Sequence, residues 1–292
     1  MTFNHPTVLL EEATDLLVTN PHGIYCDVTC GGGGHTLRLL EKYPHIKVIA
    51  SDWDLDAVKA ARERTLAYED RVFFEYGAFA NIDQILKKQA VKEVDGILAD
   101  FGTSRHQIMQ GEGFSFKNDT FLDMRMAKGY FKILACDILA KATEKEIADI
   151  LYEFGEEFQS RKIAKAIIEE RKIKPIRTTL QLVAVIEKAI GKTGKIHPAT
   201  KTFQALRIAV NQELDQIDVF LKKVSTVLKN HGRIACISFH SLEDRKVKYL
   251  YQENKNIFID ISKGIITPTV EEIKRNSASR SAKMRVLEKN LK

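Results

Sequence analysis

Apolar residues along this chain follow two rhythms. Short unbroken runs come first, each closing on a polar tip: Gly23-Ile24-Tyr25-Cys26 before Asp27, Ile46-Lys47-Val48-Ile49-Ala50 before Asp52, Arg71 to Gly77, and Val94 to Ala99 before Asp100. Runs of this length, rich in β-branched residues and bounded by turn signals, predict buried strands. Between them the spacing is helical. Val8, Leu9, Ala13, Leu16 and Leu17 form the apolar face of an opening helix, with Thr7 as its expected N-cap and Glu11 and Glu12 favoured early by the dipole. Further helices are predicted from Thr36 and from Asp54. Strand and helix in alternation imply a parallel sheet covered on both faces.

The alternation stops near residue 105. From there to 202 the rhythm is helical throughout: Ile138, Ala142, Ile147, Ile150, Leu151 and Phe154, then Phe158 to Ile173 and Leu180 to Ile190. A long helix opens near Thr200, with Phe203, Leu206, Val210, Leu214, Ile217 and Leu221 on its core face; Arg207 and Asn211, one turn apart beside that face, can share a ligand or simply be solvated. His231-Gly232-Arg233 reads as a turn, Ile234 to Phe239 as a fifth strand, and Ser241 with Asp244 as a capping box. The reading is therefore an α/β domain of residues 1–104 and 203–292, interrupted by a helical insertion, 105–202. The tail from Glu271 to Lys292 holds seven Lys/Arg and three Glu; it reads as a solvated tail or as a phosphate-backbone contact.

The chemistry concentrates at Asp27-Val28-Thr29-Cys30-Gly31-Gly32-Gly33-Gly34-His35, between the first strand and its helix. Glycine permits a tight turn and lets a ligand lie on bare peptide, and the helix that follows offers unpaired N–H groups. A dinucleotide fingerprint needs a third glycine at position 36, where Thr36 stands, which disfavours an NAD oxidoreductase. A strand ending on an acid suits a ligand with a cationic amino-acid end and an adenosine end, as in S-adenosylmethionine (SAM). Asp52, 25 positions after Asp27, is placed to accept ribose hydroxyls, or else to cap the next helix. Phe79, past the third strand, is expected to pack on an adenine ring or under the next helix. Asp100 ends the fourth strand in the same style.

Composition adjusts this picture in three respects. The 292 residues are 44% hydrophobic, enough for a large core, and a net charge of +6 tilts toward an anionic partner. Cys26, Cys30, Cys136 and Cys236 form no C-x-x-C, and no Cys/His pair has zinc spacing, so no metal is expected and the thiols suit a reducing cytosol. No signal peptide or membrane span is apparent, and a cytoplasmic location is the expectation.

Strands with polar tips suggest the Rossmann-like sheet of class I SAM-dependent methyltransferases. The remaining motifs make the resemblance specific. They are His5-Pro6-Thr7-Val8-Leu9-Leu10; Asp27-x-Thr29-x-Gly31-x-Gly33-Gly34-His35; Asp100-x-Gly102-x-Ser104 with Gln107; Gly113-Phe114-Ser115-Phe116; Leu122-Asp123-Met124-Arg125-Met126; His197-Pro198-Ala199-Thr200; Phe203-Gln204-Ala205-Leu206-Arg207-Ile208; and Ser238-Phe239-His240-Ser241-Leu242-Glu243-Asp244-Arg245. In this order, nearly end to end, they resemble the RsmH/MraW family, bacterial N4-cytidine methyltransferases of the decoding centre in small-subunit (16S) ribosomal RNA. The resemblance implies SAM contacts at Gly33, Gly34, His35, Asp52, Phe79, Asp100 and Gln107, and 16S ribosomal RNA within the small subunit as partner. It leaves the oligomeric state open, a homodimer included. The sequence departs from the family at Arg105, Phe121, Phe158 and Asn276-Ser277-Ala278, mostly in the presumed substrate half.

The expected reaction is methyl transfer from SAM to an exocyclic amine. That amine is a poor nucleophile, so orientation and acceptance of its hydrogen carry the catalysis. Asp100 is the expected acceptor and catalytic residue. Ser238, His240 and Asp123 are candidates for holding the base, Phe114, Phe116 and Arg125 for reading it, and Lys195, His197 and Lys201 for phosphates. A DNA amino-methyltransferase, and a ribosome-assembly factor that binds SAM without turnover, are the competing readings.

Overall fold

A computed structural model of the chain describes residues 7–103, 111–192 and 197–291. In chain order its main elements are α1 (Leu10–Leu17), β1 (Ile24–Asp27), α2 (Gly34–Lys42), β2 (Lys47–Asp52), α3 (Leu55–Arg64), β3 (Val72–Tyr76), α4 (Ile82–Lys88) and β4 (Val94–Asp100). Then follow α5 (Ala135–Lys141), α6 (Glu144–Gly155), α7 (Ser160–Ile173), α8 (Thr179–Ile190), α9 (Ala199–Asn211), α10 (Glu213–Val227), β5 (Leu228–Ser238), α11 (Ser241–Glu253), β6 (Phe258–Asp260), α12 (Val270–Arg275) and β7 (Lys283–Lys289). The chain divides into two compact units, residues 1–102 with 214–292, and residues 103–213. Residues 203–213, read from the sequence as part of the α/β domain, therefore fall in the helical unit.

The first unit carries one seven-stranded sheet in the order β3-β2-β1-β4-β5-β7-β6. Strands β1 to β5 run parallel, and β7 is antiparallel between β5 and β6. This is the sheet of class I SAM-dependent methyltransferases. Val8, Leu9 and Leu39 from the α1 and α2 side close over Val48, Ala50, Leu98, Ile237, Met284 and Val286, all buried. Each such side chain contributes about 1.5–3 kcal/mol by leaving water.

Two strands escaped the sequence reading, and the solvated-tail expectation is wrong for β7. Met284 and Val286 are fully buried, in alternation with half-exposed Lys283 and Arg285, and the charges between them disguise an inner strand as a tail. The fifth strand also begins earlier than expected, at Leu228, and His231 takes a positive φ of 62° within it. The expected long helix from Thr200 breaks at Gln212, φ 49°, which separates α9 from α10. Thr7 does not cap α1; Leu9 holds that position with φ 51°, and its N–H donates to Glu272 Oε1 at 2.9 Å. At α11 the cap is His240 rather than Ser241. Its Nδ1 accepts from Glu243 N–H, and Glu243 Oε2 accepts from His240 N–H.

The second unit is helical. Leu139, Ile147, Leu151, Ile163, Ile167, Leu182, Ile186, Phe203 and Leu206 fill its core. Among the described residues, no helix is long and apolar enough to cross a membrane.

Candidate functional site

Strand register brings the acids together. Asp27, the last residue of β1, pairs with Ala50 of β2 and Leu98 of β4. Asp52 and Asp100 lie two residues further along those neighbours. Side chains two apart on a strand share a face. Asp52 and Asp100 therefore flank the end of β1 at one level, on the face that Asp27 also uses. The strand order reverses between β1 and β4, and in open α/β sheets that crevice beyond the carboxyl ends is where ligands bind.

The three acids differ in what they have left to offer. Asp27 is fully buried and holds the loop and helix to the strand: Oδ2 accepts from Thr36 Oγ1 at 2.6 Å and Oδ1 from Thr29 N–H at 3.4 Å, and burial raises its pKa to about 6. Asp52 uses one bond on each oxygen, Gly31 N–H to Oδ2 at 2.9 Å and Asp54 N–H to Oδ1 at 3.0 Å, and burial raises it to about 7. Each oxygen retains a further lone pair. The cap of α3 is Asp54, which accepts from Asp56 N–H, so Asp52 is not consumed as a cap. Among the described residues, the enclosed Asp100 Oδ1 has no hydrogen-bond partner. Burial first, then the nearby Asp27 and Glu243 carboxylates, hold its pKa well above the usual range. Its backbone N–H donates to Thr29 Oγ1 at 2.6 Å, which fixes the strand tip against the glycine loop.

The loop glycines also separate. Gly33 has φ 77°, and a Cβ there would meet Ala61 Cα of α3 at 2.9 Å; a Cβ on Gly34 would strike the Thr7 hydroxyl. Both are glycines for packing. Gly31 has φ 48° with nothing nearer its ideal Cβ than Thr29 O at 4.0 Å, so it presents the bare peptide face. The His35 side chain is buried, its Nε2 3.1 Å from Val8 O, with its pKa lowered to about 4 by burial. What Gly34 and His35 can offer a ligand is backbone N–H in the first turn of α2, where no intrahelical carbonyl reaches them.

Phe79 sits among three rings: Trp53 at 5.6 Å, Phe101 at 5.7 Å and Phe220 at 5.6 Å between centroids. Phe79 is buried, as the second alternative expects, and it follows β3 at the carboxyl end of the sheet. Gln107, with Ser104, Arg105 and Lys195, lies outside the described residues. The sequence reading quoted Thr29 and Gly31 in the glycine motif without giving either a role, and it passed over Trp53. The signal available was position: Trp53 immediately follows an acid at a strand tip, and Thr29 belongs to the glycine motif.

Several other candidates are committed to structure. Asn211 is buried; its Oδ1 accepts from Met126 N–H at 2.7 Å, and its Nδ2 donates to Met124 O and Arg207 O at 2.8 Å. Arg207 forks onto Glu213 at 2.9 Å through two nitrogens. Arg125 binds Asp123 with Nε at 2.6 Å and Nη2 at 2.9 Å. Phe116 packs on His197 and Phe203. Lys201 Nζ donates to Glu156 O and lies 5.4 Å above the exposed Phe158 ring. Ser238 is buried, and His240 caps α11.

The chain matches the MraW methylase family over residues 2–290. It is 43% identical over 290 residues to the "Ribosomal RNA small subunit methyltransferase H" of Coprothermobacter proteolyticus, covering 98% of this chain and 96% of that one. To the protein of the same name in Desulfotalea psychrophila it is 46% identical over 290 residues, covering 98% of each. The cofactor of this enzyme is SAM. The site fits that group on its own chemistry: an enclosed carboxylate oxygen without a partner, a second carboxylate with spare lone pairs, and an open glycine face. With a whole-length family match and such identity along nearly the entire chain, this protein belongs to the MraW methylase family.

Proposed function

We propose that this enzyme methylates the exocyclic N4 of a cytidine in the decoding centre of 16S ribosomal RNA, using SAM, with the small ribosomal subunit as partner. The observation that carries the reading is full-length identity above 40% to relatives named small-subunit ribosomal RNA methyltransferases. The choice of N4 and of the decoding centre rests on the motif resemblance.

Bound SAM supplies an activated methyl group on a sulfonium. Asp52 is assigned the ribose hydroxyls, through the lone pairs its two backbone bonds leave over. Gly33, Gly34 and His35 shape the loop, and the last two present N–H groups. Phe79, held by Phe101 and Phe220, forms a wall for the adenine, and Gln107 joins the set by motif. Asp100 accepts an amine hydrogen as positive charge develops on the nitrogen. Its low-dielectric setting favours the neutral acid when no cation is near and makes a nearby positive charge unusually effective in drawing it to the carboxylate. Thr29, bonded to the Asp100 N–H, keeps that oxygen in place. The 103–213 unit is assigned to substrate recognition.

The test is incubation of the enzyme with labelled SAM and small subunits from a strain lacking its gene, followed by nucleoside analysis. Label in N4-methylated cytidine is the expected result. Label elsewhere, or transfer to duplex DNA instead, overturns the assignment.

A further inference from the structure

The stretch from the end of α12 to the first residue of β7, residues 274–283, takes no part in the site described above. It carries Lys274, Arg275, Arg280 and Lys283 within ten residues. The first three are exposed and Lys283 is half-buried. Among the described residues none of these four side chains has a hydrogen-bond or ion-pair partner. Nearby cations behave differently: Arg285 forks onto Asp244 at 2.7 and 3.1 Å, Arg233 pairs with Glu288 at 2.9 Å, and Lys289 donates to Leu228 O. Past Lys283, the cations Arg285 and Lys289 of β7 are partnered, whereas these four are not.

The segment is rigid rather than a fraying tail. Asn276 and Ser279 are buried; Asn276 Oδ1 accepts from Ala278 N–H at 3.3 Å, and Ser279 Oγ donates to Asn276 O at 2.8 Å. Its place is fixed by register. Lys283 opens β7 opposite Ser238, the last residue of β5, while Asp100 lies beside Ile237 and Ile237 opposite Met284. Two strand spacings put the start of β7 about 10 Å from Asp100, at the same end of the sheet. Met284 shares the face of Asp100, so Lys283 leaves the sheet on the opposite face at the same end, and unneutralised cations at that rim are complementary to a polyanion that approaches it.

We infer that Lys274, Arg275, Arg280 and Lys283 form a phosphate-backbone rail that holds the RNA strand next to the target nucleotide. The inference rests on the proposed RNA substrate and names residues for it. The rail reads charge and not sequence. Its signature is salt dependence, about 0.7 in the slope of log K against log salt for each phosphate contact to a single strand.

The experiment measures binding of a small-subunit RNA fragment spanning the target by full-length enzyme, across a salt series. Wild type is compared with a variant carrying Lys274→Gln, Arg275→Gln, Arg280→Gln and Lys283→Gln, and with each single substitution. SAM affinity is measured on the same samples and reports whether the sheet is intact. The fourfold variant should bind RNA at least tenfold more weakly, with a slope shallower by about 3, each single variant losing a fraction of that, and SAM affinity unchanged. Unchanged RNA affinity and slope overturn the rail, as does a loss in the single variants that follows a loss of SAM binding. Methyl transfer by wild type is scored separately: RNA binding that depends on the rail without methylation of cytidine keeps the rail and overturns the reaction assignment.

Discussion

The two units use their buried carboxylates differently. In the helical unit Asp123 and Arg125 bond to each other, and Asn211 bonds to the backbone of Met124, Met126 and Arg207. In the sheet unit, Asp100 keeps an enclosed oxygen without a partner among the described residues, and Asp52 keeps spare acceptor capacity, at two strand tips that face one crevice. An unsatisfied buried acceptor costs roughly 1–3 kcal/mol. The same residue types are bonded to one another in one unit and leave open acceptors at strand tips in the other.

The sharpest way to break this comparison is to remove Asp100. Asp100→Ala should lower kcat by about 10³-fold, the scale for one group that stabilises developing charge, with SAM affinity changed far less. In wild type the rate should climb with pH as Asp100 ionises at its raised pKa, and Asp100→Asn should lose that acidic limb along with the rate. A pH series of single-turnover rates reads both. Next in size, Asp52→Ala should weaken SAM about 100-fold, from two charge-assisted bonds at about 1.5 kcal/mol each. In the helical unit Asp123→Asn should cost about 3 kcal/mol of stability by breaking a mostly buried pair, seen in denaturant melts, and leave SAM affinity alone.

A pH-dependent effect separates a motif residue from a ligand contact. Neutral, buried His35 has its folded pKa lowered to about 4 against 6.5 in the unfolded chain. Between those values the unfolded state binds more protons. The contribution is complete above pH 6.5 and is lost as pH falls toward 4, about 3 kcal/mol in all. His35→Gln should flatten that part of the stability curve.

The sequence exposed the parallel half of the sheet because its strands are uninterrupted apolar runs with an acid at each tip. β7 was illegible for the complementary reason: Lys283, Arg285, Glu288 and Lys289 interleave its core residues, and an antiparallel strand beside short β6 imprints no apolar run. The break at Gln212 carries no glycine or proline, so the helical spacing ran straight through it. At the site, Asp52 and Asp100 could be read because strand tips of a doubly wound sheet converge by topology. The division of labour among the glycines could not, since it depends on Ala61 and Thr7, which lie far away in the chain. Arg125, Arg207 and Asn211 looked like ligand contacts because a buried fork and an exposed one are spelled alike.

The most direct measurement is a calorimetric titration of SAM into wild type, Asp52→Ala and Asp123→Asn. The account predicts a dissociation constant raised about 100-fold in the first variant and within twofold of wild type in the second. Equal affinities in all three, or a loss in Asp123→Asn as large as that in Asp52→Ala, would contradict it.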